Sequence, residues 1–158
     1  MTADRSSPPA DRTTAQTFTV VEQLHPRFRD TDAMGHINNA VYISYLEVAR
    51  QAYWRALDGS SRYRDVPFIL ARVECDFRSE AMQHEVLELH IRCAWVGTKS
   101  FGFEYEVREQ TTQRLAVAAR TVQVCYDYTT KQSLAVPATL RAALERFEGR
   151  SLARVVPE

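Results

Sequence analysis

A chain of 158 residues, 45% of them apolar and 25% charged, is long enough for one domain that buries about two-thirds of its unfolded surface. This composition excludes a collagen-like, a low-complexity and a wholly disordered chain. The twenty basic and twenty acidic residues cancel, which argues against a dedicated nucleic-acid-binding protein and against a protein of the membrane surface.

The N-terminal part of the chain predicts a tail and one strand. Residues 1–15 are rich in Ser, Thr, Pro and charge, so we expect a disordered tail there. We expect a single domain over residues 16–148 and a loose C-terminal tail over residues 149–158. Phe18, Val20, Leu24 and Phe28 fall on even positions between mostly polar residues, with one flaw at Glu22, and this alternation predicts a half-buried strand. Pro26 suggests an edge strand or a strand end.

A loop and a long helix follow this strand. The polar stretch 30–38 (DTDAMGHIN) contains a glycine and has no regular period, which predicts a loop. Residues 39–57 contain neither Gly nor Pro and are apolar around much of the helical circumference. This pattern predicts a helix that is mostly covered by protein, with Asn38 or Asn39 as its N-cap and the DGSS sequence at residues 58–61 as its end.

The second half of the chain predicts four strands and a short helix. Each strand alternates apolar and polar residues, which is typical of an antiparallel sheet with one buried face. Pro137 begins a helix with Leu140, Leu144 and Phe147 on one side. The economical packing wraps one curved antiparallel sheet around the long helix, an α+β architecture. The apolar positions of the four strands are Ala71–Phe77, Leu87–Trp95, Phe101–Val107 and Val122–Tyr128.

The three cysteines favour a reducing compartment. Cys75, Cys93 and Cys125 are odd in number, form no CxxC pair and lie in predicted strands, so neither a zinc site nor a redox motif is indicated. No stretch approaches the 18 apolar residues of a membrane-spanning helix, and the N-terminus lacks the apolar segment of a signal peptide. We therefore expect a cytoplasmic protein.

The loop before the long helix holds the densest group of titratable residues. Asp30, Asp32 and His36 could bind a metal ion, but a hard cation needs about six oxygen ligands and the spacing does not continue. Alternatively, one Asp caps a turn while the other is solvated. A third interpretation uses the helix N-terminus, whose N–H groups can hold a developing oxyanion while a nearby carboxylate acts as base or nucleophile.

The run RDTDAMGHINNAVYISYLEVAR resembles the signature of the 4-hydroxybenzoyl-CoA thioesterase group of the hotdog-fold superfamily. Its pattern is D-x-D-x-x-G-H-x-N-N-x-x-Y, followed on the helix by E-x-A-R. The resemblance spans about residues 17–140 and continues through KSF at residues 99–101, FEYEVRE at residues 103–109 and VPATLR at residues 136–141. It implies a hotdog fold, which agrees with the sheet-around-helix architecture.

The resemblance also implies roles for individual residues of the loop. Asp32 matches the catalytic carboxylate, and the backbone N–H of Asn39 matches the amide that polarises the thioester carbonyl. His36 matches an assisting histidine of the plant acyl-carrier-protein thioesterases. Those enzymes carry a functional Asn where this chain has Met34, so assistance to Asp32 by that side chain is not expected here.

Other candidates are less closely tied to the signature. Glu47 either points towards the active-site end of the helix or pairs with Arg50, one turn away. In similar proteins the turn that matches Lys99 and Ser100 lies near the CoA phosphates. The remaining candidates for contact with acyl-CoA are Gly35, Asn38, Tyr42 and Arg72.

The resemblance therefore predicts an acyl-CoA thioesterase that releases a free carboxylic acid and CoA. No metal or redox cofactor is expected. Because the active sites of hotdog relatives lie between subunits, we expect a homodimer or a homotetramer. The alternatives are a non-catalytic acyl-CoA-binding hotdog module and a hotdog hydratase or dehydratase. Some of those hydratases space Asp and His as D-x4-H, whereas Asp32 and His36 form D-x3-H.

Overall fold

The computed structural model describes residues 17–59 and 67–154. The predicted tail over residues 1–15 lies outside the described residues. The strands are β1 (Val20–Leu24), β2 (Phe68–Phe77), β3 (Leu87–Val96), β4 (Ser100–Glu109), β5 (Leu115–Asp127) and β6 (Gln132–Ser133). The helices are α1 (Val41–Asp58) and α2 (Ala138–Glu148), and a short 3-10 turn covers Phe28–Asp30.

The strands form one antiparallel sheet in the order β1-β3-β4-β5-β2, with β6 paired to β5. Helix α1 contributes seven buried side chains to the core, among them Tyr53, whose ring packs against Phe103 at a centroid distance of 4.9 Å. Trp54 joins the same aromatic cluster through Phe68 and Phe101. The predicted α+β architecture, a sheet around a long apolar helix, is confirmed.

Two strands differ in length from their prediction. The first strand ends at Leu24, because Pro26 cannot donate to a ladder and the chain then turns into the 3-10 segment that ends at Asp30. Strand β5 begins at Leu115, seven residues before the predicted Val122. Its first residues are LAVAAR, where alanines obscure the alternation that periodicity detects.

The C-terminal segment differs from the loose tail that the sequence predicts. Leu152 is fully buried, and its N–H donates to the Glu145 carboxylate at 3.0 Å. Ala153 forms a bridge with Val96 at the end of β3. The described part of this segment therefore packs against the domain, because burial of the large apolar Leu152 side chain in the core is favourable.

The sheet has two ends that matter for the site. At the first, which we call the loop end, the Ile37 N–H donates to the Ala81 carbonyl at 2.8 Å and His36 bridges to Met82. At the other, which we call the far end, the β3–β4 turn at residues 97–99 joins the two strands. Strand β4 runs its ten residues between the two ends, so they lie about 30 Å apart.

Candidate active site

Asp32 organises the loop before α1 through its own carboxylate. Its Oδ1 accepts the backbone N–H groups of Met34 at 2.8 Å and His36 at 3.2 Å. Its backbone N–H donates to the His36 carbonyl at 2.8 Å. Gly35 adopts a φ of +80°, which glycine tolerates without strain. Among the residues that the structure describes, Oδ2 of Asp32 has no hydrogen-bond partner, so one carboxylate oxygen remains open on an exposed side chain.

The start of α1 leaves one backbone donor unpaired. The Asn38 side-chain oxygen accepts the N–H of Ala40 and the Asn38 carbonyl accepts the N–H of Val41, both at 2.9 Å. Helix α1 begins at Val41, two residues after the predicted start, and its N-cap is Ala40, which makes no side-chain cap hydrogen bond. The predicted N-cap, Asn38 or Asn39, is therefore wrong, and the Asn38 side chain holds the turn before the helix instead. Within the described residues the N–H of Asn39 finds no acceptor. This donor lies at the positive end of the α1 dipole, where developing negative charge is stabilised.

Asp30 has a different environment from Asp32. It is only 3% exposed and accepts hydrogen bonds from the Arg27 side chain and from the Tyr45 hydroxyl, the latter at 2.8 Å. Burial alone raises the pKa of Asp30, but the hydrogen bonds from Arg27 and Tyr45 outweigh burial and hold this pKa below its usual value. Asp30 is therefore a buried, ionised anchor that also caps the 3-10 turn through the Arg27 backbone N–H, whereas Asp32 is the exposed carboxylate of the pair.

Sequence reasoning missed Arg27 and Tyr45 as partners of the loop. Arg27 lies in a segment whose alternation predicts a strand, and Tyr45 sits on a helix fifteen residues after Asp30. The D-x-D spacing indicates that the carboxylates of Asp30 and Asp32 are important, but it does not predict which of the two is buried.

The side chains of His36 in the loop and Glu47 on helix α1 have no polar partner among the described residues. The His36 backbone is engaged with Asp32, while its half-buried imidazole has no hydrogen-bond partner in the described part of the chain. Glu47 is exposed and forms no ion pair with any described residue. The Glu47–Arg50 pair is wrong within one chain, because the Arg50 guanidinium instead donates to the Tyr105 hydroxyl at 3.3 Å.

Three of the remaining acyl-CoA candidates, Lys99, Ser100 and Arg72, do not lie at the loop end within one chain. Lys99 and Ser100 lie at the far end, where the Lys99 ammonium donates to the Ser133 hydroxyl at 3.2 Å. Arg72 is exposed in the middle of β2 and pairs with Glu74. The Tyr42 hydroxyl is buried beneath the loop end and has no partner among the described residues, and its ring packs against Phe77.

A metal site of Asp30, Asp32 and His36 is not formed. The Asp30 carboxylate points to Arg27 and Tyr45, away from solvent. No three His, Cys, Asp or Glu side chains in residues 17–59 and 67–154 are grouped so that they could hold an ion. In the same ranges no helix is long and apolar enough to cross a bilayer. The chemical groups at the loop are thus the Asp32 carboxylate, the His36 imidazole and the Asn39 backbone N–H.

Comparison with known families decides the assignment. The family model of the thioesterase-like superfamily matches residues 26–144, which include the whole loop and α1. The chain belongs to this superfamily. It is 25% identical over 130 residues to the long-chain acyl-CoA thioesterase FadM of Escherichia coli K12, a match that covers 79% of this chain and 96% of FadM.

Two further similarities extend the comparison. The uncharacterized protein YsmA of Bacillus subtilis is 28% identical over 88 residues, and this match spans 56% of the chain and 60% of YsmA. A thioesterase from Thermus thermophilus, crystallised with coenzyme A and Zn, is 28% identical with a TM-score of 0.76. That superposition covers 85% of this chain and 98% of the Thermus protein. The hotdog fold of this superfamily is therefore the fold of the chain.

Proposed function

We propose that the protein is an acyl-CoA thioesterase that hydrolyses an acyl-CoA to a free carboxylic acid and CoA. The observation that carries the proposal is the closeness in sequence of two groups without a partner among the described residues, the Oδ2 of Asp32 within the loop and the N–H of Asn39 directly after it. The similarity to FadM and to the Thermus thioesterase bound to coenzyme A supports the choice of an acyl-CoA.

The proposed reaction uses these two groups at the two ends of the loop. The thioester carbonyl oxygen accepts the Asn39 N–H, which stabilises the negative charge that develops as the tetrahedral intermediate forms. Asp32 acts as general base on a water molecule or as nucleophile on the carbonyl carbon. With water as attacking group, a C–O bond forms and one water proton passes to Asp32. The C–S bond then breaks, and the leaving CoA thiolate takes up the proton from Asp32, which restores the carboxylate. His36, close in sequence to both groups, is proposed to assist.

Thiol release from a panel of acyl-CoA thioesters tests this function. Aromatic, short-chain and long-chain acyl-CoAs are each incubated with the purified protein in excess EDTA, because the proposed chemistry needs no metal. We expect turnover of at least one class, at a rate that EDTA does not change. If every thioester stays intact while acyl-CoA still binds, the protein is the non-catalytic binding module instead.

The edge of the sheet supports a homodimer as the assembled form. Strand β2 is a ten-residue edge strand that exposes 41% of Leu70 and 47% of Phe77. Long open edges with apolar side chains favour pairing with another strand. A two-fold axis through the middle of β2 would place the far end of one protomer, with Lys99 and Ser100, beside the loop end of its partner. We propose that the CoA phosphates lie at this junction, with Lys99 as a cation.

Disruption of the β2 edge tests this assembly. We expect light scattering to give at least twice the chain mass of 18.1 kDa. The double variant Leu70→Glu/Phe77→Glu should be monomeric and should raise KM for acyl-CoA, because it separates Lys99 from the site. Val21→Glu, at a half-exposed apolar position on the opposite edge strand, is the control and should remain dimeric. An active wild-type monomer would contradict the proposal.

A further inference from the structure

Asp30 connects three parts of the loop end. Its carboxylate accepts the Arg27 backbone N–H at 2.9 Å and the Tyr45 hydroxyl at 2.8 Å. Its backbone carbonyl accepts the Asn38 N–H at 2.8 Å. One residue therefore holds the turn before the loop, the first part of helix α1 and the residue that precedes Asn39.

These contacts hold both ends of the segment that carries Asp32. The segment forms a loop between Asp30 and Asn38. The Asn38 N–H donates to the Asp30 carbonyl across the base of this loop. Within the segment, Thr31 and Ile37 form a further bridge. Tyr45 joins the closed loop to α1, since its hydroxyl is the contact from the helix to the Asp30 carboxylate. The Tyr45–Asp30 bond therefore ties the segment that carries Asp32 to helix α1, beside the contacts that Asn38 makes with Ala40 and Val41.

We infer that Asp30 and Tyr45 are positioning residues that set the Asp32 carboxylate against the Asn39 N–H. The inference rests on the proposed function, which requires both groups to act on one thioester carbonyl. Neither Asp30 nor Tyr45 needs to touch the substrate, because Asp30 is buried and the Tyr45 side chain lies beneath the loop. Small displacements of a reacting group, of about 1 Å, can lower a rate by as much as about 100-fold.

The chain offers a matched control on the same helix. Tyr53 also donates its hydroxyl to a carboxylate, that of Glu148, at 2.7 Å, and it is likewise buried. Tyr45→Phe and Tyr53→Phe each remove one phenol-to-carboxylate hydrogen bond and keep the ring. If the Tyr45–Asp30 bond were structural only, the two variants would lose similar thermal stability and behave alike in every assay.

The test measures kinetics and backbone exchange in both variants. We expect Tyr45→Phe to lower kcat by at least about tenfold with little change in KM, and Tyr53→Phe to leave both within about twofold. Hydrogen–deuterium exchange of the Met34, His36 and Asn38 amides should accelerate in Tyr45→Phe only. Asp30→Asn, which keeps the shape but not the charge that holds Arg27, should give the same pattern.

Two results would overturn the inference. Equal kcat in the Tyr45 and Tyr53 variants would show that the hydrogen bond does not act on the reaction. Unchanged exchange at residues 34–38 in Tyr45→Phe would show that it does not order the loop. The exchange comparison does not require turnover, so an inactive wild-type protein would contradict the proposed function while the positioning of the loop is still decided.

Discussion

Replacing Asp32 by Asn is expected to lower kcat by at least about 100-fold, since a positioned general base contributes about 10²- to 10⁴-fold to a rate. In this structure the substitution changes the chemistry of a single carboxylate atom, Oδ2. Oδ1 of Asp32 holds the loop through the Met34 and His36 N–H groups, and Asn retains that acceptor. Only the open Oδ2 is replaced, by an amide nitrogen that can neither accept a water proton nor attack a carbonyl. Because the interaction is made in the transition state, kcat and kcat/KM should fall together.

Asp127 provides the matched control for this variant. Its Oδ1 also accepts two backbone N–H groups, of Thr129 at 2.8 Å and Thr130 at 3.3 Å, at the end of β5 where an exposed turn begins. Asp127→Asn should therefore keep full activity. Asp30 cannot serve as a neutral control, despite its place two residues before Asp32, because it is a buried anchor of the loop. An Asp32→Asn rate within tenfold of wild type would contradict the assigned role.

Single turnover in heavy-oxygen water separates the two roles of Asp32. If Asp32 is the nucleophile, a mixed anhydride forms, and its hydrolysis can leave the label in the protein carboxylate. If Asp32 is a general base, the label enters only the released acid. Label found by mass spectrometry in the peptide that contains residue 32 identifies Asp32 as the nucleophile.

The second large effect is expected at Asn39. If its backbone N–H is the oxyanion donor, Asn39→Pro should lower kcat by about 100- to 1000-fold, the usual effect of losing one such donor. Asn39→Ala keeps the N–H and should change kcat by less than about tenfold, because the donor that acts in the transition state is retained. Proline is tolerable at this position for the helix, since within the described residues the Asn39 N–H has no intramolecular acceptor to lose. Circular dichroism of both variants verifies that α1 persists.

The comparison of the two Asn39 variants is decisive. Equal losses in Asn39→Ala and Asn39→Pro would assign the effect to the side chain and would contradict a backbone oxyanion hole. A loss confined to Asn39→Pro supports it. The side-chain oxygen of the neighbouring Asn38 remains available to accept the Ala40 N–H in either variant, so the turn before the helix keeps this hydrogen bond throughout.

Patterns that repeat locally predicted most of the fold. Alternation found β2, β3 and β4, since one face of each strand packs on the core and the other does not. The apolar circumference of residues 39–57 predicted a covered helix, and α1 is observed at Val41–Asp58 with Gly59 as its left-handed C-cap. Elements without a clear period were found less well. The alanine-rich start of β5 and the 3-10 turn at Phe28–Asp30 are examples.

The sequence by itself determined the fold class, the superfamily signature and the loop in which the candidate chemistry lies. Only the tertiary structure decided that the Asp30 side chain is buried against Tyr45 while Asp32 keeps one oxygen open. It also decided that Lys99 lies at the far end of the sheet, away from the loop of the same chain. The physical reason is the range of the interactions. Periodicity and capping act over a few neighbouring residues, whereas a buried carboxylate is stabilised by donors that only folding brings to it.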